Sequence, residues 1–150
     1  MLQFFLRRLR NERGFTLIEL LIVVAIIAIL AAILIPNFLR ARAQSQVAAT
    51  KGNLKNVATA LESYFVDGAQ YPTTANNLTP NYSRALPQDP CTGTQFGTSP
   101  GYTYTQLSGG SDYVLRTNWS ATNGAPCWDA VAPNGSNIQY SPGGGLQNTP

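Results

Sequence analysis

The sequence predicts an α+β fold: one long N-terminal α-helix, packed through its second half on a small antiparallel β-sheet. Three observations carry this reading. From Leu20 to Ile35 every residue is apolar. From Val47 to Phe65 the apolar residues recur at three- and four-residue spacings, the pattern of a helix with one buried face. From Tyr102 onward, short β-prone runs are separated by glycine turns, the pattern of hairpins.

The chain opens with a basic leader, residues 1–14, containing Arg7, Arg8, Arg10 and Arg13. Behind it lies the run Phe15 to Leu39, 25 residues long. At about 1.5 Å per helical residue, that run can cross a hydrocarbon core of about 30 Å. The leader arginines favour a cytoplasmic N-terminus, and Arg40 and Arg42 beyond the run weaken this bias without reversing it. An ordinary secretory signal has a shorter apolar stretch ending at a small-residue cleavage site. Ala41-Arg42-Ala43 supplies small residues, but the stretch ahead of it is too long and arginines lie inside the site. A plain uncleaved anchor fits the length but leaves Glu19 unexplained, and a charge in lipid is costly enough to mark function. A cut between Gly14 and Phe15 would create a cationic amine four residues from Glu19, on its own copy or a neighbouring one.

Residues 15–39 are read as the transmembrane half of the helix and 40–66 as its amphipathic half. Val47, Leu54, Val57, Ala58, Leu61, Tyr64 and Phe65 form the apolar face, and Arg40, Arg42, Lys51, Lys55 and Glu62 the polar one. A continuous helix of this length would measure roughly 78 Å, longer than a small domain, so its first half is expected to protrude. Pro36 removes one intrahelical hydrogen bond and is expected to bend it. Gly68 supplies a left-handed cap.

Residues 67–140 are read as the globular loop and sheet region, and 141–150 as a Gly- and Pro-rich mobile tail. Tyr102–Leu107 and Tyr113–Trp119 are the first two strands, joined by Ser108-Gly109-Gly110-Ser111. Trp128–Val131 and Ile138–Tyr140 are read as the other two, flanking the tight-turn dipeptide Asn134-Gly135. In an oxidising compartment Cys91 and Cys127 form a structural disulfide. Free thiols or a redox pair are the alternative, although no Cys-x-x-Cys spacing is present.

Composition narrows the function. The chain has ten basic and seven acidic residues, and the leader accounts for four and one of them, leaving six of each. The basic balance therefore belongs to the leader and does not argue for nucleic-acid binding. Arg40, Arg42, Lys51 and Lys55 along the helix are read as lipid-headgroup contact and solvation rather than a nucleic-acid track. The chain has no histidine and no phosphate-cradling glycine loop with lysine, so no catalytic residues are assigned and an enzyme is not expected.

The stretch from Gly14-Phe15-Thr16-Leu17-Ile18-Glu19 through Ala31 resembles the N-terminus of type IV prepilins and type II secretion pseudopilins. The resemblance implies a pilin-like fold and a prepilin peptidase that cuts after Gly14 and methylates the amine of Phe15. It implies that Glu19 pairs with the N-terminal amine of an adjacent subunit, and that Pro36 is the helix-kinking proline. It also implies partners: further copies of the chain in a homopolymeric filament, an inner-membrane platform protein and an assembly ATPase. The monomer would sit in the inner membrane with its leader cytoplasmic and its C-terminal domain outside.

Tyr71-Pro72-Thr73-Thr74 and Leu86-Pro87-Gln88-Asp89-Pro90 resemble segments of major pseudopilins and related short pilins. Calcium in such proteins would here fall to Asp89, Asp112 and Asp129, but the acidic clustering of such a site is missing from the tail, and no cofactor or metal is assigned. The first functional reading is a type IV pilus subunit, for adhesion, motility or DNA uptake. The alternative is the major pseudopilin of type II secretion. A third reading is a membrane-anchored binding domain that never polymerises, with Glu19 dispensable and Gly14-Phe15 uncut.

Overall fold

The computed structural model describes residues 14–98, 100–119, 127 and 137–149. Helix α1 runs Leu17–Gly68. Then follow a 3₁₀ turn at Ala75–Leu78, β1 (Tyr102–Leu107), a 3₁₀ turn at Ser108–Gly110, β2 (Asp112–Thr117), β3 (Asn137–Ser141) and β4 (Gly145–Thr149). The strands form one antiparallel sheet in the order β1-β2-β3-β4. This is the α+β, pilin-like arrangement that the sequence predicts.

Two compact units divide the chain, 1–39 and 40–150. In the first, Leu17 to Leu39 is helical and its side chains are exposed, Ala31 alone being half-buried. Pro36 lies inside the helix. Lacking an N–H, it cannot bond the carbonyl one turn back.

In the second unit α1 buries Val47, Thr50, Leu54, Val57, Ala58, Ala60 and Leu61. They share a core with Tyr71, Leu78, Tyr102, Tyr113, Leu115, Trp119 and Ile138. β2 shows the period-two alternation of a half-buried strand: Tyr113, Leu115 and Thr117 are buried, with more open residues between them. Rings knit helix and sheet together. Phe65 stacks on Tyr71 at 4.7 Å, and Tyr71 meets Tyr113 edge-on at 4.6 Å.

Three sequence expectations need correction. The tail from Ser141, expected as a loose end, turns at 142–144 and returns as β4, pairing from Ser141↔Gly145 to Asn137↔Thr149. Its glycines are turn material, and Gly145 takes φ 65°, a region glycine enters without steric cost. Leu146, opposite Tyr140, then packs against the core. The left-handed residue after α1 is Ala69 (φ 53°), one position beyond the expected Gly68, and its N–H closes the last turn on the Phe65 carbonyl at 2.7 Å. β2 ends at Thr117 rather than Trp119, because Asn137 Oδ1 accepts the Trp119 N–H at 2.6 Å in place of a ladder bond. The expected strand 128–131 and turn 134–135 lie outside the described residues.

Asp89 is fully buried, and its carboxylate organises this unit. Oδ1 accepts from the Cys91 N–H at 3.0 Å and the Thr50 hydroxyl at 3.3 Å. Oδ2 accepts from Trp119 Nε1 at 2.5 Å and the Thr92 hydroxyl at 3.1 Å. The helix, the 89–94 turn and the segment just after β2 meet on one side chain. Asp89→Asn would turn an N–H₂ group toward one pair of these donors. That should cost about 1–3 kcal/mol, read as a lower urea midpoint with unchanged slope for the detergent-solubilised chain. An unshifted midpoint would count against this role.

Tyr71 and Tyr113 donate their hydroxyls to Glu62 at 3.0 and 3.3 Å. Burial, then the Glu62 hydrogen bond, pushes the Tyr71 phenol up to about 12, and burial pushes Tyr104 up to about 12. Burial and the Glu62 charge raise Tyr113 as well. A phenol with a raised folded pKa holds its proton more tightly folded than unfolded. Its stabilisation is complete below the ordinary tyrosine value of about 10 and is lost as pH rises through the folded value. Unfolding free energy is therefore expected to fall between about pH 10 and 12, with phenolate absorbance lagging behind that of the denatured chain. Ionisation of every tyrosine near pH 10 without loss of stability would contradict this.

Candidate functional site: the first turn of the apolar helix

The chemistry-bearing residues at the head of the N-terminal unit are gathered within six positions, 14–19. Gly14 and Phe15 are exposed and precede regular structure. Thr16 is followed by α1, and Glu19 lies in its first turn. A helix N-terminus leaves backbone N–H groups without intrahelical partners. Here Glu19 turns back and accepts the Thr16 N–H at 2.9 Å and the Thr16 hydroxyl at 2.7 Å, both on one carboxylate oxygen. The Thr16 hydroxyl oxygen in turn accepts the Glu19 N–H at 3.3 Å. Thr16-x-x-Glu19 is thus a complete capping box, with the carboxylate also at the positive end of the helix dipole.

The sequence reading singled out Glu19 but missed Thr16. The signal was present, since a threonine three residues ahead of a glutamate at the head of an apolar run is a capping pattern. The box holds the carboxylate within the chain through neutral donors. A cut after Gly14 would leave the Phe15–Thr16 peptide bond intact, so the box survives such processing.

Beyond this turn, α1 is long and apolar enough to cross a membrane. An exposed apolar surface of this extent marks a lipid or protein contact.

The other expected site residues are elsewhere. Cys91 and Cys127 are joined in a disulfide with Cα atoms 5.6 Å apart. Of the carboxylates considered for calcium, Asp89 is occupied by four protein donors, Asp112 accepts the Tyr113 N–H at 2.8 Å, and Asp129 lies outside the described residues. Among the described residues no three His, Cys, Asp or Glu side chains gather to hold a metal.

With this geometry in view, comparison with known proteins is specific. Residues 9–35 match the prokaryotic N-terminal methylation motif. The type IV major pilin protein PilA of Myxococcus xanthus is 54% identical over 68 residues, covering 45% of this chain and 31% of that protein. The type II secretion system core protein G of Pseudomonas aeruginosa is 42% identical over 69 residues, covering 46% of this chain and 49% of that protein. These two matches thus span about a third to a half of the relatives' own lengths. Core protein G of Dickeya chrysanthemi is 30% identical over 140 residues, covering 77% of this chain and 92% of that protein. The chain belongs to the family of type IV pilins and type II secretion pseudopilins.

Thr16→Val removes the hydroxyl from the box and leaves its backbone N–H. Losing a threonine cap costs about 1 kcal/mol. In micelles, amide exchange at Glu19 and Leu20 should accelerate about fivefold, while amides beyond Pro36 are unchanged. Equal protection in both chains would show that the hydroxyl contributes nothing.

Proposed function

We propose that this protein is a structural subunit of a type IV pilus, polymerising through its N-terminal helix in adhesion, motility or DNA uptake. The carrying observation is the exposed apolar run Leu17–Leu39, whose one carboxylate, Glu19, is bonded within its own first turn among the described residues. Before assembly the helix sits in the inner membrane, leader inside and C-terminal domain outside. A prepilin peptidase hydrolyses the Gly14–Phe15 bond and methylates the new amine. An inner-membrane platform protein and an assembly ATPase then move the subunit into the filament. The same side chains are satisfied by lipid or by neighbouring helices, so transfer roughly preserves apolar burial. Glu19 sets register by pairing with the Phe15 amine of an adjacent copy, because a misplaced subunit would leave a buried charge unpaired, at about 3–5 kcal/mol. The role is structural rather than catalytic.

A second reading, the major pseudopilin of type II secretion, is favoured by one observation: similarity to core protein G extends over nearly the whole of that protein. The identity over the matched stretch, by contrast, is higher to the pilin, 54% over 68 residues.

Shearing intact cells and determining the mass and N-terminus of the chain in each fraction tests both. A chain beginning at methylated Phe15 in the sheared fraction is expected for a pilus. The same processed chain confined to the envelope would favour the pseudopilin, and an uncut chain would sink both. Glu19→Ala should still be processed but should be lost from the filament; undiminished filament yield would remove Glu19 from the mechanism.

A further inference from the structure

The globular unit carries a groove away from the apolar helix run 17–39 in sequence. Two hollows, of about 390 Å³ and about 250 Å³, adjoin and share Asn76 and Phe96. Gln88 and Gln95 line the larger one, Thr73 and Tyr104 the smaller. No Asp, Glu, Lys or Arg lines either hollow among the described residues. The larger volume falls within the range of small-molecule sites, which start at about 300 Å³, and the smaller lies just below it.

The floor is held firmly and the rim is free. Phe96 packs its ring on the buried Tyr102 at 5.6 Å, leaving the rest of the half-buried ring toward the groove. Gly97, at φ 83°, turns the chain, and its N–H bonds the Tyr102 carbonyl at 2.8 Å. Tyr104 is anchored by its hydroxyl on the Pro72 carbonyl at 2.5 Å. In contrast, the side-chain amides of Asn76, Gln88 and Gln95 are exposed and make no hydrogen bond with any described residue. The turn that begins at Asp89, beside Gln88, is fixed by the Asp89 carboxylate and the Cys91–Cys127 bridge.

The geometry points to a binding site for a neutral oligosaccharide. An aromatic face accepts the C–H face of a sugar ring, as aromatic side chains accept other flat apolar groups. A carboxamide offers an acceptor and two donors, the combination that adjacent sugar hydroxyls require. The described lining gives an anionic or cationic ligand no charge to pair with, and burying such a ligand unpaired is unfavourable. A chain of sugars lying across the Asn76–Phe96 saddle would place one ring in each hollow. The site is independent of whether the filament is a pilus or a pseudopilus.

The test is a side-chain amide NMR titration of the full chain in a zwitterionic detergent without a sugar headgroup. The probes are trimers of β-1,4-linked glucose, β-1,4-linked N-acetylglucosamine and α-1,4-linked glucose, with a sialylated trisaccharide and an uncharged Ser/Gly hexapeptide as controls. At least one neutral trimer is expected to shift the Asn76, Gln88 and Gln95 amides together, and the controls are not. Gln95→Ala, at an exposed position, should weaken binding about fivefold or more without changing the melting temperature. Phe96→Ala should abolish binding and Phe96→Trp should keep it. Silence of all three amides at saturating sugar, stronger shifts with either control, or unchanged binding by Gln95→Ala would each overturn the proposal.

Discussion

A carboxylate out of reach of water must be met by donors on every side, and Asp89 meets this condition by drawing four donors from three separate parts of the globular unit onto itself. Thr50 comes from the helix, Cys91 and Thr92 from the following turn, and Trp119 from beyond β2. Burying a polar group is unfavourable until its partners are in place. The pairing therefore selects one arrangement of helix, loop and sheet among the many that would bury similar apolar area. The described residues contain no buried side-chain nitrogen or oxygen without a partner. Asn137 plays the same part at the sheet, accepting from Thr117 and from the Trp119 backbone.

Helix α1 obeys two different rules along its length. In the unit beginning at Arg40 its apolar residues keep to one face and meet the core of tyrosines, Leu78, Leu115 and Ile138. In the unit ending at Leu39 they surround the helix, which only lipid or other helices can satisfy. The capping box solves a local problem at the head of that second kind of helix. It occupies the Thr16 and Glu19 amides and gives the carboxylate two neutral donors. A carboxylate held in this way can exchange those donors for a stronger cationic partner when one is brought to it.

The aromatic layer ties the globular unit together through ring contacts and tyrosine hydroxyls. Tyr71, Tyr113 and Tyr140 follow one another from ring to ring, with Glu62 as the one carboxylate receiving the first two hydroxyls. Tyr82 reaches Asp67 at 2.8 Å and pins the loop after the 3₁₀ turn to the end of α1. Loops fixed at several points in this way can present side-chain amides in set positions, which is what the groove around Phe96 depends on.

Several elements were legible in the sequence because their signals are local. The apolar run, the three-and-four spacing from Val47 to Phe65 and the β1–β2 hairpin depend on neighbours within a few residues, and the structure has all three. Glu19 was legible for the same reason, as a charge where a charge is costly. What escaped depends on partners far along the chain. Thr50 reads as a polar position and is fully buried, because Asp89, 39 residues on, accepts its hydroxyl. Glu62 reads as solvent-facing, yet it serves tyrosines 9 and 51 residues away. The glycines after Ser141 read as a loose end, and only a β3 edge with open hydrogen-bonding groups makes them a turn leading into β4. By itself, the sequence determined the helix, its two environments and the carboxylate at its head, since hydrophobic period and charge placement act over a turn or two. The tertiary structure alone decided which polar groups go inside and where the last strand pairs, since a buried donor or an open strand edge is satisfied only by what the fold brings beside it.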